Sequence, residues 1–182
     1  ISIVIDISKT MKRQEMLQRE ADQDSLTGIL NRKAAMRLIE DAFKQYEQGI
    51  LFVMDIDNFK RLNDTCGHQI GDRVLMCFAD ILRKNSRSDD ICARLGGDEF
   101  LVCFPGLDKK EIAGERAEQI CRQFRDLSSG KYGQVPLSVS IGAAMWKGEG
   151  NFDRLYAAAD QALYRAKRSR KGSFLFSEDP EK

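Results

Sequence analysis

Apolar residues recur at every second position at the start of the chain, in Ile1, Ile3, Ile5 and Ile7. A period of two predicts a half-buried strand. From Lys9 to about Gln23 the sequence turns polar and charged, with Met11, Met16, Leu17 and Ala21 as its few apolar points. That thin stripe predicts a helix with at most a weak heptad. Together, residues 1–8 and 9–23 are expected to be the tail of a preceding domain and a linker helix, with a free N-terminal arm as the plainer alternative. The compact domain is expected over residues 24–177, followed by a tail at 178–182. Ala35, Leu38, Ile39, Ala42, Phe43 and Tyr46 form a helical stripe that ends at Gly49. Ile50 to Met54 is an unbroken apolar run, the signature of a central strand ending at Asp55.

A second helix is predicted over Gly71–Lys84, through Val74, Leu75, Phe78, Ile81 and Leu82. Short apolar runs at Ile91–Ala93 and Leu101–Phe104 flank the polar segment Arg94–Phe100, which predicts a hairpin turning at Gly96 and Gly97. Asp108 and Glu111 have capping-box spacing for a helix running to about Leu127. Val135–Trp146 reads as a strand, Phe152–Arg168 as an alanine-rich helix and Ser173–Ser177 as a last strand. Helices and strands alternate, but a hairpin forces antiparallel pairing, so the expected class is α+β, with a mostly antiparallel sheet flanked by helices.

Composition narrows the function. A chain of 182 residues with 42% hydrophobic and 31% charged residues has room for one well-cored domain and a short appendage. A formal net charge of +1 supplies no field to recruit nucleic acid or an anionic membrane. No apolar stretch approaches the roughly 20 residues that span a bilayer, and no secretory signal opens the sequence. The five cysteines, Cys66, Cys77, Cys92, Cys103 and Cys121, form no Cys-x-x-Cys pair. Buried thiols in a reducing compartment fit better than disulfides or zinc, so a cytoplasmic domain is expected, whether or not its parent protein is anchored to a membrane. His68 is the only histidine and lies in a loop-like stretch, Asn63–His68. A structural hydrogen bond is the commoner fate of a lone histidine, so any catalysis is expected to rest on carboxylates and metal.

Two groups of acids suit that chemistry. Asp55 and Asp57 close the apolar strand, and strand alternation puts both on one face if the strand runs that far. Asp98 and Glu99 sit at the hairpin turn beside two glycines. Carboxylates from a strand end facing those of a neighbouring hairpin form a hard-oxygen site for Mg²⁺ or Mn²⁺. Asp57 has an ordinary alternative as the cap of a helix beginning at Asn58. Lys60, Lys167 and Lys171 are candidate phosphate ligands, although cations at 167–171 also suit a helix C-terminus. Arg87–Asp90 has the composition of a solvated turn.

These pieces fall into a familiar order. Asp24-Ser-Leu-Thr-Gly-Ile-Leu-Asn-Arg32, Asp55-Ile-Asp-Asn-Phe-Lys60, Asn63-Asp64, Gly67-His-Gln-Ile-Gly-Asp72, Gly96-Gly-Asp-Glu-Phe100, Val139-Ser-Ile-Gly142 and Ala159-Asp-Gln-Ala-Leu-Tyr164 resemble successive signatures of the GGDEF-domain diguanylate cyclases. The resemblance covers about Asp24 to Phe176. It implies a ferredoxin-like core similar to the palm of nucleotidyl cyclases and polymerases, and the joining of two GTP into cyclic di-GMP with release of pyrophosphate. Asp55, the carbonyl of Ile56 and Asp98 would then hold the metals, with Glu99 as a further metal or nucleotide contact. Asn63 and Asp72 would recognise guanine. The backbone at Phe59 and Lys60, with Lys167, would receive phosphates, and Gly96 and Gly97 would let the nucleotide lie across the hairpin.

The same resemblance implies a homodimer, because each site binds one GTP, and a PAS-type sensor ahead of the linker helix. Arg87 and Asp90 match an Arg-x-x-Asp product-inhibition site. Two departures stand out. Lys171 takes a position usually held by arginine, with Arg170 as a rival phosphate ligand, and Cys66 stands where an aromatic is common. Retention of Asp55, Asp98 and Glu99 favours catalysis over a silent receptor for GTP or cyclic di-GMP. A cyclase making hybrid purine products is a nearer variant.

Overall fold

The computed structural model describes residues 13, 18, 20–130 and 135–178. The expected strand at 1–8 and the tail from 179 onward lie outside the described residues, as does most of the expected linker helix, of which positions 13, 18 and 20–22 are helical. The elements run β1 (Leu30–Asn31), α1 (Arg32–Gln45), β2 (Gln48–Asp57), α2 (Phe59–Cys66), α3 (His68–Lys84) and β3 (Ile91–Gly96). They continue with β4 (Glu99–Pro105), α4 (Lys110–Ser128), β5 (Ser138–Lys147), α5 (Phe152–Ser169) and β6 (Phe174–Phe176). The six strands form one sheet in the order β1-β3-β4-β2-β5-β6. Its centre is antiparallel, and only the edge pairs β1·β3 and β5·β6 are parallel. The α+β expectation holds.

Strand β2 lies between β4 and β5 and is covered on both faces, which is why its sequence is continuously apolar instead of alternating. Ile50, Phe52, Met54 and Ile56 join Phe100, Val102, Phe104 and Ile141 against α3 and α4. Leu51 and Val53 join Leu101, Cys103, Ala144 and Trp146 against α1 and α5. By the same alternation, Asp55, Asp57 and Glu99 lie on the α1/α5 side, where the apolar layer ends.

Several local expectations shift. The stretch Asn63–His68 is helix, not loop: α2 runs through Cys66, Gly67 breaks the chain at φ +83°, and His68 opens α3 as an exposed residue. The capping box at Asp108 does not form, because Lys109 takes the N-cap position and puts both acids out of register for reciprocal bonds. Val135–Leu137 stay outside the sheet, since β2 ends where Asp57 meets Ser138 and offers them no partner. None of the five cysteines is in a disulfide. Burial pushes the Cys92 and Cys121 thiols up to about 11 and Cys103 higher still, so none of these three is a poised nucleophile. No helix among the described residues is long and apolar enough to cross a membrane.

Candidate active site

Strand β2 ends at the edge of the core, and the chemistry gathers there. Asp55 pairs directly with Glu99 of β4 on one side and Ser140 of β5 on the other. Two like charges at opposed positions of an antiparallel pair are unfavourable for folding alone. Asp98 sits in the adjoining turn and is tied to the strand end, its carbonyl accepting from the Ile56 N–H at 3.3 Å. Gly96 (φ +146°) and Gly97 (φ +53°) both take backbone conformations that side chains disfavour, and a Cβ at either would point into open space. The turn therefore presents bare backbone beside three carboxylates.

A cation faces this group. Lys167, from the last turn of α5, donates to Asp55 Oδ1 at 2.7 Å. The Asp55 carboxyl is nevertheless pushed up to about 6, first by burial, against the pull of Lys167 and with the charges of Asp98 and Asp57 adding to the rise. A carboxyl raised above its unfolded value of 3.8 binds a proton in the folded state that the unfolded chain has released. Its contribution to stability therefore falls as pH rises from about 4 to about 6. Urea unfolding of Asp55→Asn beside the parent tests this. The variant is expected to gain on the parent by up to about 3 kcal/mol between pH 4 and pH 7. A pH-independent difference would refute the environment described for Asp55.

Asp57 does not cap a helix. It is 3% exposed, and its carboxylate accepts from Ser138 Oγ at 2.6 Å, Ser140 Oγ at 2.9 Å and the Gly172 N–H at 2.9 Å. It thus pins β5 and the chain after α5 to the end of β2, a scaffolding role. The α2 N-cap is instead Asn58, at φ +63°, whose side chain is engaged elsewhere: Nδ2 donates to the Pro136 carbonyl and Oδ1 accepts from Lys171 Nζ, both near 2.9 Å. The first N–H groups of α2, at Phe59 and Lys60, thus lack a side-chain cap and stand close to Lys171, an arrangement that suits an anion. Lys171 belongs to this corner, whereas Arg170 lines a separate cavity of about 410 Å³ with Arg122 and Arg125 of α4.

Asn63 projects from the second turn of α2 toward Gly71 of α3. Its Oδ1 is buried without a hydrogen-bond partner, and a Cβ on Gly71 would lie 1.9 Å from it. A buried amide oxygen left unpaired is costly unless a ligand donates to it. Asp72 follows Gly71 and is exposed. Arg87 and Asp90 lie elsewhere, at the far end of β3, which spans roughly 17 Å from Ile91 to Gly96. There the Asp90 carboxylate accepts from the Arg87 N–H at 2.8 Å and from Arg116 of α4 at 3.1 Å. Sequence reading had no signal for Arg116, which is 26 residues from Asp90.

The family described as diguanylate cyclase, GGDEF domain, matches residues 21–173. The chain is 39% identical over 171 residues to the diguanylate cyclase DgcS of Shewanella oneidensis, covering 92% of this chain and 56% of that protein. It is 34% identical over 171 residues to the diguanylate cyclase DgcM of Escherichia coli K12, covering 92% and 41%. The chain thus spans about half the length of these curated relatives. Among solved structures, it superimposes on the coiled coil and GGDEF domain of DgcB from Caulobacter crescentus in complex with c-di-GMP. The TM-score is 0.83 at 28% identity, covering 96% of this chain and 95% of that one. The chain belongs to the GGDEF-domain family of diguanylate cyclases.

Proposed function

We propose that this domain condenses two GTP into one cyclic di-GMP and two pyrophosphates. The observation that carries the reading is the opposition of Asp55 and Glu99 across β2 and β4, with Asp98 in the adjoining turn and Lys167 facing them. The fold spends stability to keep acids together where a cation and phosphates would relieve their repulsion. Two carboxylates and the Ile56 carbonyl form the kind of oxygen set magnesium or manganese accepts when substrate phosphates and water complete its shell. A metal there would polarise the attacking 3′-hydroxyl and neutralise the departing pyrophosphate.

In this reading the protein's own groups bind and orient. The α2 N-terminus at Phe59 and Lys60, with Lys171 and Lys167, takes the phosphate chain. Asn63 Oδ1 accepts from the guanine edge, and Asp72 supplies a second acceptor at the pocket rim. Gly96 and Gly97 let the nucleotide cross the turn, and Glu99 contacts the metal or the nucleotide. Each site holds one GTP, so the reaction needs two domains facing each other about a two-fold axis. Arg87 and Asp90 would bind the product as an inhibitor, with the arginine gripping phosphate or a guanine edge. The solved DgcB domain, bound to c-di-GMP, supports a nucleotide ligand for this fold. A sensor domain ahead of the linker in the parent protein completes the proposal.

The test is incubation of the purified chain at high concentration with Mg²⁺ and GTP, with products identified by mass spectrometry. Cyclic di-GMP is the expected product, and Asn63→Ala is expected to lower the preference for GTP over ATP by about tenfold or more. No product, even from chains dimerised artificially, would turn the assignment to a GTP or cyclic di-GMP receptor.

A further inference from the structure

Arg94 lies two residues ahead of the glycine turn and is the best-anchored arginine among the described residues. Its side chain is only 13% exposed. Nε and one terminal nitrogen both donate to the Gly97 carbonyl, at 3.0 and 2.8 Å. The other terminal nitrogen reaches both oxygens of Asp24, at 3.2 and 3.3 Å. One planar guanidinium therefore bridges the catalytic turn to the first residue of the domain. Its backbone is shaped for this: the β3·β4 register slips between Arg94 and Gly96, a bulge that re-aims side chains at the end of a ladder.

Asp24 is itself held firmly. It accepts from the Thr27 N–H at 2.9 Å and the Thr27 hydroxyl at 2.6 Å. Burial alone would raise its carboxyl, but the bonds from Thr27 and Arg94 hold it below the ordinary range, so it stays charged. Just before it, residues 20–22 are helical and fixed to α1: Asn31 Nδ2 donates to the Ala21 carbonyl at 2.8 Å, and Arg37 pairs with Asp22 at 2.7 Å. The path from the entering helix to the turn thus runs along the backbone from Asp22 to Asp24 and then through the bonds of Arg94 to the Gly97 carbonyl.

We propose that Arg94 is a positioning residue: it fixes the Gly97 carbonyl, and so the placement of Asp98, and through Asp24 it makes that placement depend on how the preceding helix enters the domain. The guanidinium touches neither substrate nor metal in this role. Its effect on rate rests on the cyclase reading above, whereas its effect on the turn does not.

The test uses the full chain with Arg94→Ala, Arg94→Lys and Asp24→Asn. Three properties are read: steady-state formation of cyclic di-GMP from GTP with Mg²⁺, amide hydrogen exchange across residues 96–99, and urea unfolding. Arg94→Ala is expected to lower kcat by about ten- to a hundredfold while KM for GTP changes less than about threefold, the mark of misplaced rather than missing contacts. Arg94→Lys should not rescue, because an ammonium cannot span a carbonyl and a carboxylate in one plane. Asp24→Asn should lower kcat by about three- to tenfold, and exchange at residues 96–99 should quicken about tenfold in all three variants. Parent-like kcat and exchange in a folded Arg94 variant overturn the proposal, even if urea stability drops. Parent-like exchange in Asp24→Asn overturns its link to the entering helix. If the parent makes no cyclic di-GMP, the cyclase reading fails, and the exchange comparison alone decides the role of Arg94.

Discussion

Replacing Asp98 with alanine is expected to lower cyclic di-GMP formation by about a hundred- to a thousandfold while moving the melting temperature by no more than about 2 °C. The two halves of that expectation come from different parts of the structure. Asp98 occupies the hairpin tip, half-exposed, and what ties it to the sheet is its backbone carbonyl, which alanine retains. Its carboxylate adds negative charge beside Asp55, raising that group further, so removing it relieves repulsion between the two acids. The loss is confined to the reaction, where one of two carboxylates offered to the metal is gone. Parallel assays of product by mass spectrometry and of unfolding by heat separate the effects. A large fall in melting temperature would make Asp98 a structural residue and weaken the site assignment.

Much of this site was legible because acids that follow a buried strand have no packing reason to be there. Asp55 was conspicuous on that ground, and strand alternation correctly put Asp57 and Asp55 on one face. What Asp57 does was not legible. Its partners Ser138, Ser140 and Gly172 lie 81, 83 and 115 residues away, so a local cap of the helix at Asn58 was the nearest explanation within reach. Arg94 shows the same limit. Inside the motif it reads as a polar hairpin residue, and its importance depends on Asp24, which is 70 residues distant.

The fold divides similarly. Elements with a strong apolar period, such as β2, α3 and α5, lie close to where their patterns put them. The errors fall where a single backbone position decides, as at Gly67 between two helices and at Lys109 ahead of α4. Strand β1 has only two residues and no pattern of its own; it exists because β3 offers it an edge. Sheet order is a property of pairings between distant segments, and composition along the chain carries little of it.

The second large effect is expected at Gly142, in the Val139–Gly142 block. The structure gives this glycine a steric role. It sits in the middle of β5 opposite Val53, beneath α5. A Cβ there would lie 2.1 Å from the Ala159 carbonyl oxygen, 2.2 Å from the Leu163 nitrogen and 2.7 Å from the Leu163 Cα. All three atoms are helix backbone, so no side-chain rotation relieves the contact, and α5 must lift off the sheet. G142A is therefore expected to cost about 3 kcal/mol or more, which for a domain of this size lowers the melting temperature by roughly 10 °C. Helix α5 also carries Lys167, one turn beyond Leu163, so lifting it draws the ammonium away from Asp55 and the phosphate path. Surviving folded protein should lose cyclase activity in proportion greater than its loss of folded fraction. A melting temperature within about 2 °C of the parent would show that α5 does not ride on the bare backbone of β5 at this point.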